Sequence, residues 1–260
     1  MKVMITGVYG LIAGALYKHL AQLPQYDVYG LARRRQDSER VADGEGVDVP
    51  EEKFTLSDMS DVNVLIEAFK GMDVVVHLAA DPSGGGGWES VLKSNIVGAY
   101  NVFEACRLAG VPRIVNASSI QASSGYRTIE PYKSFADGTY KGERPIVDHT
   151  MPTRPMNIYA SSKVWGEALG RTYADVHGMS VLCVRIGWVV KEDKPRPNGA
   201  DIWCSKRDIV AIHECCINAP KDVRYGIFYG MSDNQYRWVD LDHARNVLGF
   251  VPQDRAEDRT

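Results

Sequence analysis

Short runs of branched apolar residues alternate along the chain with longer stretches whose apolar positions recur at helical spacing. Residues 2–6, 27–32, 73–78, 112–117, 180–186 and 224–229 read as strands, and 11–22, 61–70, 89–109, 157–176 and 205–219 as helices. Such alternation predicts an α/β fold, a doubly wound parallel sheet with helices on both faces. Val74-Val75-Val76-His77-Leu78 and residues 112–117 are apolar almost throughout, which predicts central strands with no solvent face. In the helix at 157–176, Val164, Ala168, Leu169, Tyr173 and Val176 approximate one apolar stripe. Two segments keep no period. Residues 123–156, rich in Tyr, Lys, Pro, Gly and Ser, and 187–204, with Pro195, Pro197 and Gly199, are expected to be long loops of the kind that carry function. The run Gly84-Gly85-Gly86-Gly87 follows the strand at 73–78, at the edge where ligands meet open α/β sheets.

With 260 residues, 45% of them hydrophobic, the chain can bury a substantial core. The expected division is 1–186, a dinucleotide-binding core with a substrate loop at 123–156, and 187–260, a remaining core helix and strand plus a small substrate-binding portion. The formal net charge of −3 is spread rather than blocked. That argues against nucleic-acid and membrane-surface partners and for a small molecule. The five cysteines, at 106, 183, 204, 215 and 216, have no C-x-x-C spacing, so neither a disulfide framework nor a metal site is expected. The chain opens directly on a strand, without a leader pattern, and no apolar run approaches the ~20 residues of a membrane span, so the cytoplasm is the expected compartment.

The first strand runs into Thr6-Gly7-Val8-Tyr9-Gly10-Leu11-Ile12-Ala13-Gly14 and then a helix. Amide groups at such a helix start can hold a pyrophosphate. Gly7 would permit the tight turn and Gly10 the close approach of phosphate; an ordinary strand-turn-helix is the alternative. The second strand ends Leu31-Ala32-Arg33-Arg34-Arg35. An acid that would hold ribose hydroxyls is missing there, and guanidinium groups suited to a 2′-phosphate are offered instead. NADP is therefore expected over NAD, the alternative being a solvated basic turn. Asp58 could accept from an adenine amino group, or be a surface acid or a helix cap.

Tyr159 and Lys163 lie four residues apart near the start of a predicted helix, hence on one face. A fixed ammonium stabilises a phenolate and lowers its pKa from ~10 towards a useful value. The strand at 112–117 runs into Ser118-Ser119 at the carboxyl edge of the sheet, where Ser119 could bond a substrate oxygen; a plain strand end is the other reading. Together they suit hydride transfer: the tyrosine takes the hydroxyl proton in an oxidation and protonates the carbonyl oxygen in a reduction.

These residues together resemble the extended short-chain dehydrogenase/reductase family, with its NAD-dependent epimerases and dehydratases. Thr6 to Ala13, Asp58, His77 to Ala80, Ser119 and Tyr159 to Lys163 match the family pattern. The resemblance implies a Rossmann-type fold and cofactor contacts from Gly7, Tyr9, Gly10, Leu11 and Ile12, from Arg33, Arg34, Asp58 and Met59, from Leu78, Ala79 and Ala80, and from Asn95, Tyr159, Lys163 and Ile186. It also implies that Asn95 supports the catalytic tyrosine and that the chain forms a homodimer through the helices at 89–109 and 157–176. Residues 94–101, 112–119 and 184–187, with Trp238 and 248–252, are most similar to uronate and related aldose dehydrogenases. That similarity implies a sugar or sugar-acid substrate oxidised at C1 to a lactone, touched by Ser83, Ser119, Ile120, Gln121, Tyr159, Gly187 and Trp188. Arg196 would face its carboxylate, a surface arginine being the alternative.

The chain departs from that pattern in four places. No acid follows the second strand, Ile120-Gln121 replaces an Asn-His pair, Trp188 stands where serine is common, and the loop at 126–156 is longer. A nucleotide-sugar epimerase or dehydratase that retains its cofactor, a carbonyl reductase and a non-catalytic cofactor sensor are the competing readings.

Overall fold

The computed structural model describes residues 1–82 and 85–259. Seven strands form one parallel sheet: β1 Lys2–Thr6, β2 Asp27–Ala32, β3 Phe54–Leu56, β4 Val74–His77, β5 Arg113–Ser119, β6 Ser180–Ile186 and β7 Tyr225–Gly230. Their order is β3-β2-β1-β4-β5-β6-β7, and every neighbour is parallel. All residues of β4 and β5 are buried, as expected for strands covered on both sides. The fold is the Rossmann-type α/β architecture. Chain direction across the sheet reverses between β1 and β4, so a crevice opens there at the carboxyl edge.

Alternate strand residues feed two apolar layers. Val3, Ile5, Leu182 and Phe228 pack with Leu16 of α1 (Leu11–Ala21) and Ile212 of α7 (Lys206–Ile217). Met4, Val75 and Val181 pack on the other face with Leu65 of α2 (Val62–Phe69) and Phe103 of α4 (Gly98–Ala109). Capping fixes the long helix of the site, α6 (Ile158–His177): Asn157 accepts from the Ala160 amide at 2.7 Å, and Gly178 ends the helix at φ +69°.

The sequence expectations need four corrections. The strand β3 was not among those expected, because three residues carry no readable alternation. The helix expected at 89–109 runs unbroken but carries a π turn at Leu92–Val97 between α3 (Gly87–Val91) and α4. The loop expected at 123–156 is structured at its start by a 3-10 helix, Ile120–Thr128, and by α5 (Tyr132–Ala136). A last helix, α8 (Asp242–Leu248), was also not foreseen. A third apolar cluster, with Ile120, Tyr126, Val147, Trp238 and Leu241, joins this region to the C-terminal residues. Among the described residues, no helix is long and apolar enough to cross a membrane.

Candidate active site

A cleft of about 980 Å³ runs along the carboxyl edge of the sheet, from the glycine turn after β1 to the end of β5 and the loop after β6. Its floor is tied at the switch point by one hydroxyl. Thr6 Oγ1 accepts from the amides of Leu78 and Ala79, at 3.2 and 3.1 Å, and lies 2.9 Å from His77 Nδ1. Burial lowers the His77 imidazole to about 3, with the Lys163 charge adding to the effect, so the ring is neutral.

At one end the backbone is shaped for a diphosphate. Gly7 sits at φ +73°, and a Cβ there would stand 2.9 Å from Ala79 Cα, so only glycine fits. Gly10 precedes α1 without any side-chain cap on the helix, and no acid occupies its first turn. The first-turn residues Leu11, Ile12 and Ala13 line the cleft, presenting uncapped amide donors and the positive end of the helix dipole. Tyr9, Leu78, Ala79 and Ala80 complete this wall. Met59 lines it too, at the unusual φ of +66°, held by a bond of 2.8 Å from Asn101 Nδ2 to its carbonyl.

The basic run after β2 divides. Arg33 and Arg34 are exposed and line the cleft. Arg35 turns away, onto the Phe54 ring at 5.1 Å and into ion pairs with Glu51 and Asp48. Arg40, which no sequence signal singles out, returns from the same loop to the cleft wall; its segment is anchored by the Ser38 amide on the Tyr9 carbonyl at 2.9 Å. Asp58 reaches the cleft already engaged: Ser60 and Lys93 bond its carboxylate and hold it at about 2.

At the other end, Tyr159 and Lys163 project from the first turns of α6 beside Ser119 at the end of β5. Lys163 Nζ donates to the Ala117 carbonyl at 2.9 Å and lies 5.7 Å from the Tyr159 ring centroid. Burial lowers the Lys163 ammonium to about 8, which leaves it charged at neutral pH. Burial dominates and raises Tyr159, against the opposing pull of the Ser119 hydroxyl and the Arg40 charge. Ile120, Gln121, Ile186, Gly187 and Trp188 line the same end.

Two expected site residues fall elsewhere. Asn95, on the π turn, is not in the cleft wall; it bonds the Asp81 amide at 2.7 Å and Ser162 Oγ at 3.0 Å, and so reaches Tyr159 only through the helix that carries both. Arg196 is also outside the wall, exposed, with its guanidinium over the Trp188 ring at 5.5 Å and 3.7 Å from Glu192. Ser83 lies outside the described residues. Conversely, Ser124, Arg127, Asn157, Asn198 and Trp238 line the substrate end unforeseen. Only the spacing of Gln121, Ser124 and Arg127, three apart, marks any of them in the sequence.

Fold and cleft define a Rossmann-type protein with a dinucleotide-shaped site. Residues 3–201 match the NAD dependent epimerase/dehydratase family, and the chain belongs to that family. It is 36% identical over 261 residues to an NAD-dependent glucose-6-phosphate dehydrogenase of Haloferax volcanii, covering 99% of this chain and 95% of the relative. It is 31% identical to an L-arabinose 1-dehydrogenase (NAD(P)(+)) of the same organism, over 98% and 97% of the two chains. Among solved structures, uronate dehydrogenase from Agrobacterium tumefaciens is 28% identical and superposes with a TM-score of 0.79, over 99% of this chain and 86% of the other.

Proposed function

We propose that the protein is an oxidoreductase that moves hydride between a nicotinamide dinucleotide and a hydroxyl of a sugar or sugar acid, C1 oxidation to a lactone being the reaction. The observation that carries this reading is one continuous cleft with the glycine turn at one end and Ser119, Tyr159 and Lys163 at the other. The similarity to sugar and uronate dehydrogenases supports the substrate class. The uncapped start of α1 would hold the diphosphate, and the cofactor when bound supplies the hydride acceptor. Ser119 and Tyr159 would bind the reacting oxygen. In an oxidation the Tyr159 phenolate takes the hydroxyl proton and becomes a neutral phenol; the fixed Lys163 charge favours the phenolate to which it returns when that proton passes to solvent. Because burial raises Tyr159, oxidation should gain from alkaline pH and carbonyl reduction from neutral pH.

The cofactor we favour is NADP, because Arg33 and Arg34 are exposed at the cleft while no acid ends β2. We place the protein in the cytoplasm as a homodimer joined through α4 and α6, where Tyr100, Leu108 and Val176 leave apolar surface exposed. The test is to incubate purified protein with NAD or NADP and a panel of aldoses, uronates and sugar phosphates. Growth of reduced-nicotinamide absorbance supports the reading; isomerised sugar without net reduction would replace it with an epimerase.

A further inference from the structure

The segment that leaves Ser119 is the 3-10 helix Ile120–Thr128. Such a helix has about three residues per turn, so residues three apart share an edge. Burial follows that period: Ala122, Ser123, Gly125 and Tyr126 are buried, whereas Gln121, Ser124 and Arg127 are partly exposed. Those three line the cleft. The buried side is pinned. Tyr126 donates to the Pro152 carbonyl at 2.9 Å, Ser123 and Tyr229 share a bond of 2.8 Å, and the backbones of residues 122 and 125 pair with Arg154 at 2.8 Å. The edge that faces the cleft is therefore fixed in direction.

Along that edge, Gln121 Oε1 accepts from Asn157 Nδ2 at 2.9 Å and Ser124 Oγ donates to the Gln121 carbonyl at 3.0 Å. The edge ends in a cation. Arg127 Nε and Nη2 lie 3.1 and 3.3 Å from the two oxygens of Asp201, a buried carboxylate that also accepts from Trp238 Nε1 at 2.9 Å. Among the described residues, Asp201 is the one ion-pair or hydrogen-bond partner of Arg127. A carboxylate fixed on one side of a guanidinium orients the remaining donors without using them, and a guanidinium matches anionic oxygens through paired N–H groups.

We propose that Gln121, Ser124 and Arg127 form a substrate-reading edge, in which Arg127 receives the carboxylate or phosphate of an anionic sugar whose reacting hydroxyl lies at Ser119 and Tyr159. The inference rests on the dehydrogenase reading and gives Arg127 the role that the sequence offered to Arg196. Asp201 is a positioning residue that keeps the guanidinium aimed along the edge.

The test compares kcat/KM for glucose, glucuronate and glucose 6-phosphate at saturating cofactor. Wild-type protein should prefer one anionic sugar over glucose, and which of the two it prefers tells carboxylate from phosphate. Arg127→Met should reduce that preference by about 30- to 100-fold, mainly through KM, the loss expected for a charge-assisted contact. Arg127→Lys should keep part of it. Because Arg127→Met leaves the Asp201 carboxylate unpaired, the double variant Arg127→Met, Asp201→Asn serves as a second probe and should lose the same preference. Wild-type preference for glucose, or a loss shared equally by all three sugars, overturns the assignment while leaving the dehydrogenase reading in place. Absence of turnover of every sugar with either cofactor removes both.

Discussion

Glu167 grips Arg185 with both carboxylate oxygens, at 2.8 and 2.9 Å, where neither side chain is more than 5% exposed. Ser118 adds a bond of 2.6 Å to the same carboxylate, and Tyr229 accepts from Arg185 Nη1 at 2.8 Å. Glu167 stands one helical turn beyond Lys163, and Ser118 immediately precedes Ser119. The pair thus locks α6 to the strand end that carries the serine. Arg185→Met should cost about 3–5 kcal/mol, because it strands a buried carboxylate, whereas the added change Glu167→Gln should recover part of the loss. Urea denaturation of both variants measures this; equal loss in single and double variants would show that the two groups are not coupled.

Tyr159→Phe removes one oxygen from a buried ring and leaves the packing intact. The turnover rate should fall by about 10²- to 10⁴-fold, the usual worth of a general acid or base, while cofactor affinity changes little. Stopped-flow or steady-state rates with calorimetric cofactor titration separate the two effects. Retained turnover would remove Tyr159 from the chemistry.

Arg33→Ala with Arg34→Ala should weaken NADP by about 10- to 100-fold and NAD by less than about threefold, since charge-assisted bonds to a 2′-phosphate are lost only with NADP. Equal weakening of both dinucleotides in fluorescence titration would mean that the two guanidiniums serve another group. Arg40 offers a contrast: it lines the cleft and its charge bears on Tyr159, so Arg40→Ala should weaken both cofactors alike in the same titration.

His213 is fully buried on α7, and burial lowers its imidazole to about 4. The unfolded chain protonates the same ring near pH ~6.5. Below that value the unfolded state binds a proton that the folded state refuses, so stability is complete above pH ~6.5 and drains away as the pH falls towards 4. Between pH 7.5 and 5 this one group should account for about 2 kcal/mol. His213→Gln should flatten the curve by that amount in urea titrations at the two pH values; parallel curves would show an ordinary histidine.

Much of the architecture was legible because burial on both faces of a sheet leaves apolar strands, and packing on one face leaves helical stripes. The same holds for the glycine turn and for Tyr159 and Lys163, whose relationship is local. What escaped notice was assembled over distance. Arg127 meets Asp201, itself held by Trp238, across 74 residues of chain, and Asn95 is turned towards Asp81 by a π turn that no apolar period announces. Arg196 lies over the Trp188 ring, but the cleft ends before it. The three-residue beat of Gln121, Ser124 and Arg127 matches neither the strand nor the α-helix period.

Thr6 stitches the first strand to the fourth with a hydroxyl that already takes two amide protons, so its own hydrogen must go to His77, and the imidazole carries its proton on the far nitrogen. A threonine-to-valine change would keep the shape of the seam and undo all three stitches at once. One side chain thus ties together the floor on which both ends of the crevice rest, so its loss should be felt along the whole length of the cleft.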